Sequence, residues 1–364
     1  MVASPLSASG SSCTTLYSYD SQEQSPGCQW AAGTGGSSNQ HSEVTTQQRS
    51  SMTHCPGNIK LQNLTRVSAF HLMGLSEDPD LQHILFGHFL SMYLVTLLGN
   101  LLIILAVNSD SHLHTPMYFF LSNLSLADIG FISTMVPKMI VTLLNHSRVI
   151  SYGGCLTQMS VFIIFGCMDD LLLTMMAYDH FVAICHPLHY SVIINPRLCG
   201  FILLLSLLIS LLDSQLQNLS VLNFTNFKDI EISNFFSDPS QLRNLTCPET
   251  FSSTIVKCFV FAIFGFIPIS GIFFSYYKII SSILRIPSSS GNCKAFSTCE
   301  SHLAVVCVFY GTGLEMYLGS AVSHSPRTGA VVSVMYTPML KPFIYSLWNK
   351  DLKNSLRKLC SRLC

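Results

Sequence analysis

Charge is what this chain has least of. Asp, Glu, Lys and Arg together make up 10% of its 364 residues, against about a quarter in a typical soluble domain. The 19 Lys and Arg balance the 19 Asp and Glu, so the formal net charge is zero. With no net positive charge and no tract fit to track a phosphate backbone, nucleic acid is excluded as a partner. The 14 cysteines run from Cys13 to Cys364 without a CxxC pair, which excludes the usual zinc modules. Several of them, Cys167, Cys258 and Cys307 included, lie inside apolar runs, where a thiol acts as a small hydrophobe. Residues 1–62 hold no apolar run long enough for a signal-peptide core. They are rich in Ser, Thr, Gln and Gly, a composition that buries too little surface to offset its ordering entropy, so a disordered extension is expected.

What the chain does have is apolar length. Hydrophobic residues make up 49% of it, and the mean hydropathy is +0.44. A bilayer core about 30 Å thick takes about 20 apolar residues of helix to cross. Seven segments qualify: Ile84–Val107, Met117–Ile140, Leu156–Tyr178, Leu198–Leu216, Ile255–Ile279, Ser301–Ser320 and Thr328–Leu347. The sixth carries Glu315 and several glycines, and the seventh carries Lys341 and two prolines, so those two rest on order and spacing more than on apolarity. The expected fold is all-α, a seven-helix membrane bundle over residues 63–348.

Basic residues near helix ends set orientation. One side holds Arg197, Lys278, Arg285, Lys294, Lys350, Lys353, Arg357, Lys358 and Arg362; the other has Arg148, Lys228, Arg243 and Arg327. The richer side faces the cytoplasm, which puts the C-terminus inside and, after seven crossings, the N-terminus and residues 1–62 outside. Asn-x-Ser/Thr sequons at Asn63, Asn145, Asn218, Asn223 and Asn244 all fall on that outer side and are candidate glycosylation sites; a sixth, at Asn123, falls within a helix. Residues 349–364 place Leu352, Leu356 and Leu359 at helical spacing among basic residues. That pattern predicts a short amphipathic helix on the inner leaflet.

Two acids stand in mid-membrane, Asp128 in the second segment and Asp169 in the third, with Asp170 beside the latter. An ionised carboxylate is costly in lipid, so each should face the bundle interior and find a partner. Two facing acids either hold a cation between them or form a neutral polar core. No nucleophile–base pair or metal cluster stands on the outer half, so no enzyme is expected. His186 and His189 fall at the cytosolic exit of the third segment, where a structural role outweighs a metal site.

The strings around these helices resemble those of the olfactory receptors, a branch of the rhodopsin-like seven-helix receptors. Helix two carries Pro116-Met117-Tyr118-Phe119-Phe120-Leu121-Ser122-Asn123-Leu124-Ser125-Leu126-Ala127-Asp128. Helix three ends in Met176-Ala177-Tyr178-Asp179-His180-Phe181-Val182-Ala183-Ile184-Cys185-His186-Pro187. Ser275-Tyr276 closes helix five, Lys294-Ala295-Phe296-Ser297-Thr298-Cys299 opens helix six, and Pro338-Met339-Leu340-Lys341-Pro342-Phe343-Ile344-Tyr345-Ser346 lies in helix seven. The likeness covers about Asn63 to Arg357. It implies an odorant receptor at the plasma membrane, binding a small, volatile, largely apolar molecule and coupling to a stimulatory heterotrimeric G protein. Counted from these motifs, Phe162, Ile163, Gly166 and Cys167 of helix three, Val260 and Phe264 of helix five, and Tyr310, Gly313, Leu314 and Tyr317 of helix six would line the ligand pocket. Asp179, His180, Tyr276 and Tyr345 would form the G-protein switch, and Asp128 with Asp169 would match the sodium-site acids.

The chain also departs from that family. His180 stands where Arg is usual, Lys341 where Asn is usual, and Trp348 where Arg is usual. About three residues fewer separate Tyr336 from Pro338. Ser237 follows Asn234-Phe235-Phe236 where the family has the cysteine that bonds to the top of helix three, so Cys155 loses its usual partner and Cys247 is the remaining candidate. These departures favour one alternative, a receptor-derived chain that inserts but does not signal or is retained in the endoplasmic reticulum. A transporter is disfavoured by the odd helix count and the lack of an internal repeat. An opsin-like pigment is disfavoured because Lys341 lies only one turn from Tyr345.

Overall fold

The computed structural model describes residues 69–72, 79–145, 149–222, 231–232, 255, 260, 262–285, 289–322 and 328–363. Among the described residues eight long helices follow one another: α1 (Pro79–Ser109), α2 (Pro116–Asn145), α3 (Tyr152–Cys185), α4 (Pro196–Leu222), α5 (Ile267–Ile283), α6 (Ser289–Val322), α7 (Thr328–Trp348) and α8 (Lys350–Leu363). A π-helical turn, Ala262–Phe266, precedes α5. The expected first 62 residues lie outside the described part of the chain.

Among the described residues, α1 to α4 and the π turn taken together with α5 (Ala262–Ile283) are apolar and long enough to cross a membrane. α6 and α7 have the length, and their polar content is what sets them apart, as the sequence foretold. Burial identifies the solvent. On α4 the buried face is Ser206, Ser210, Asp213 and Ser214, while Phe201, Leu204, Leu205, Leu208 and Leu212 point outward. That inverts the order found in water. It is the arrangement expected in lipid, where polar side chains hold helices together. α1 has a similar outer stripe at Leu94, Leu98, Leu101 and Leu105, with Phe89, Met92, Thr96, Asn100 and Ile103 behind it.

α3 occupies the middle, against α2, α4, α5 and α6, while α7 closes the circuit between α6 and α1. Two glycines set the closest approaches. A Cβ on Gly99 would lie 3.0 Å from Cβ of Pro342, and one on Gly130 would overlap the Phe165 ring. Pro342 has no N–H, so the carbonyl of Pro338, four residues earlier, loses its helical donor. Asn100 Nδ2 donates to that carbonyl across 3.1 Å, so α1 repairs the break in α7.

Hydropathy marked the apolar part of each helix, and the helices run on beyond it. α6 begins at Ser289, twelve residues before the expected start at Ser301, because a helix does not end where its apolar stretch does. α3 starts on Ser151, whose Oγ accepts from the N–H of Gly154 at 3.1 Å. α8 starts on Asn349, whose Oδ1 accepts from the N–H groups of Asp351 and Leu352 and from the Tyr118 hydroxyl of α2. Leu352 is buried and Leu356 and Leu359 pack behind it on the inner core, which fixes the amphipathic helix expected from the sequence.

A three-stranded sheet was not foreseen. β1 (Ala69–Leu72) pairs antiparallel with β2 (Val149–Ser151), Phe70 opposite Ile150, and parallel with β3 (Glu231–Ile232), His71 opposite Glu231. It joins the segment before α1 to those after α2 and α4. Its strands are two to four residues long, too short to leave an alternating pattern in the sequence.

Candidate functional site

Three polar clusters lie along the bundle. The central one draws Asp128 of α2 and Asp169 of α3 together, as the sequence required, and adds a residue it had not connected with them. Lys341 of α7 places Nζ 2.7 Å from Asp128 Oδ1 and 2.9 Å from Asp169 Oδ2, with side chains 2%, 1% and 4% exposed. Thr337, Lys341 and Tyr345 share one face of α7 at intervals of four and are all buried. The third side of the ammonium faces the Phe309 ring at 5.5 Å, within cation–π range. Asp128 Oδ2, Asp169 Oδ1, Asn100 Oδ1 and the Tyr345 hydroxyl are buried without a hydrogen-bond partner.

The inner cluster holds the expected switch residues. Asp179 is buried and its Oδ1 accepts from the Tyr190 hydroxyl at 2.8 Å. Burial, then the Asp179 carboxylate, pushes the Tyr190 phenol above its usual range, so it remains a donor. His180 Nδ1 lies 2.6 Å from the carbonyl of Met176 in its own helix, and its ring stacks on His302 of α6 at 5.3 Å. The imidazole thus keeps Nδ1 on its own helical turn while its ring face meets α6. The carbonyl of Leu173 accepts from His302 Nε2 at 3.1 Å, which leaves Nδ1 to accept from Tyr276 of α5 at 2.7 Å. Tyr345 lines the same crevice as Met176, His180, Ser301 and His302. Asp179, His180, Tyr276 and Tyr345 are thus gathered at one end. Tyr190 and His302 were missed because their roles depend on which helices meet.

Toward the outer half, Phe162 packs on Phe131 of α2 with ring centroids 4.9 Å apart, and Ile163 is buried beside Cys155 and Met159. Gly166 faces Phe131. Cys167 Sγ donates to Asp213 Oδ2 of α4 at 3.4 Å, and Gln217 Nε2 donates to the same oxygen at 2.8 Å. Tyr310 donates to Asp170 Oδ1 at 2.5 Å, which gives Asp170 the neighbouring helix it was expected to face. Val260, Phe264 and Gly313 are half-buried, whereas Leu314 is 59% exposed. The side chain of Tyr317 lies outside the described residues. Asp213 was missed, although Ser206, Ser210, Asp213 and Ser214 recur at helical spacing and marked a polar face.

Asn218 lies within α4, where its Nδ2 donates to Ser160 Oγ of α3 at 2.6 Å. A glycan would need that same nitrogen, so packing competes with glycosylation here. Asn145 is the last residue of α2. Asn63, Asn223, Asn244, Cys247 and Ser237 lie outside the described residues.

An inside-out helical bundle with a polar interior and one central helix defines the class, a multi-pass membrane protein. The family pattern for olfactory receptors matches residues 89–362. Olfactory receptor 7E178 of Mus musculus is 67% identical over 322 residues, covering 88% of this chain and 97% of that protein. Olfactory receptor 7E24 of Homo sapiens is 69% identical over 315 residues, covering 86% and 93%. The more distant olfactory receptor 7A10 of Homo sapiens is 57% identical over 302 residues. The chain belongs to the olfactory receptor family. Its architecture is therefore a seven-helix bundle, α1 to α7, with the N-terminus outside, and it is a receptor and not an enzyme.

Proposed function

We propose that the chain senses a small, largely apolar odorant in the outer half of the bundle and couples to a stimulatory G protein at its inner face, in the plasma membrane. The observation that carries this is the gathering of Asp179, His180, Tyr276, His302 and Tyr345 at the inner end of four different helices. A movement of α6 against α3 has to break the His302–Leu173 bond and the His180–His302 stack, so the cluster reports helix separation. The outer wall on α3 and α6, with its thiol and hydroxyl already engaged by Asp213 and Asp170, leaves an apolar lining suited to a small ligand.

A second reading has its own support. His180 is turned back on its own helix, and its second nitrogen is buried without a partner. A chain with that switch inserts and signals weakly, or is held in the endoplasmic reticulum. One experiment separates the two: surface staining of the tagged chain, followed by cAMP measurement against an odorant panel. Surface chain with an odorant-dependent rise in cAMP supports the receptor reading. Surface chain with no response to any odorant, in cells where a related receptor responds, supports the second.

A further inference from the structure

We propose that Lys341 is a built-in cation: its ammonium fills the position between Asp128 and Asp169 that a free sodium ion would take, and the chain binds no sodium there. The fit of the residues to each cation decides the matter. The two carboxylates come from α2 and α3 and converge on one point. That point is taken by Nζ, at 2.7 and 2.9 Å, the usual length of a charge-assisted N–H···O bond. The Phe309 ring covers the remaining side. A sodium ion brought to the same oxygens would meet the ammonium at van der Waals distance, with like charges in a water-poor interior and no oxygen ligand on the aromatic side. Ammonium and carboxylates are fully buried, so neither can turn to water to make room.

Charge counting completes the picture. Two carboxylates and one ammonium leave one negative charge in the interior of the bundle. The cation is covalently part of α7, so it ties α2, α3 and α7 together at any salt concentration. The inference does not depend on whether the chain signals, because its readout is stability.

The experiment is thermal unfolding of the purified full chain in detergent, with sodium chloride exchanged for N-methyl-D-glucamine chloride at constant ionic strength. The wild-type midpoint should not move. Lys341→Met leaves both acids without their cation and opens the space, so its midpoint should rise with sodium, saturably, by about 2–4 °C at tenfold excess over the dissociation constant. A saturable sodium-dependent rise in wild type overturns the proposal, as does a folded Lys341→Met chain indifferent to sodium. Should Lys341→Met fail to accumulate, Asp128→Asn and Asp169→Asn are added to it. Recovery of the monomer peak supports the pairing, and failure to recover overturns it.

Discussion

At the scale of single residues, the inner cluster turns on hydrogen bonds that could be removed one atom at a time. Tyr190 is the donor to buried Asp179 Oδ1, so Tyr190→Phe should cost about 1–3 kcal/mol through an unsatisfied carboxylate oxygen. Thermal unfolding in detergent checks this, and the loss should be smaller in an Asp179→Asn background because the two sites share one bond. His180→Arg replaces an imidazole whose Nδ1 is spent on its own helical turn with a longer side chain bearing a planar five-donor fork. Agonist-induced cAMP should rise several-fold at unchanged surface level. A variant whose cAMP stays at the wild-type level while surface staining holds steady would place the limiting defect elsewhere.

At the scale of elements, close packing fixes the bundle more than propensity does. Gly130 of α2 lies where any Cβ would overlap the Phe165 ring of α3, so Gly130→Ala should cost about 1–3 kcal/mol by overpacking. Adding Phe165→Leu should restore most of it; two losses that simply add would mean the ring is not the obstacle. The helices themselves were legible in the sequence, since apolar length names a membrane helix without reference to its neighbours. Their inner ends were not: the polar turns of α6 from Ser289 to Glu300 carry no hydropathy signal. Nor was the partner of the acid pair. Asp128 and Asp169 stood out as carboxylates in apolar runs, and Lys341 as a cation in another, but periodicity within a helix gives no register between helices. The same limit hid His302 opposite His180, while Asp213 was readable from serine spacing and passed over.

At the scale of the whole molecule, topology and covalent processing meet. Enzymatic removal of N-glycans from the expressed chain should increase its gel mobility, because the topology expected from the sequence sets the candidate asparagines on the outer side. Asn218→Gln should leave that shift unchanged, since Asn218 Nδ2 is held by Ser160 in the α3–α4 contact; a smaller shift in the variant would show that the site is used. The order in which the chain is made adds a constraint of its own. Lys341 follows Asp128 by 213 residues and Asp169 by 172. At about 5–20 residues per second, α2 and α3 wait roughly 10–40 s in the translocation machinery or the bilayer before their counter-charge is synthesised. During that interval the nascent chain carries two acids that must stay protonated or hydrated, and every ribosome that stalls before α7 releases a protein with its interior charge uncompensated. Completion of the last membrane helix thus serves as an electrostatic checkpoint on the birth of the molecule.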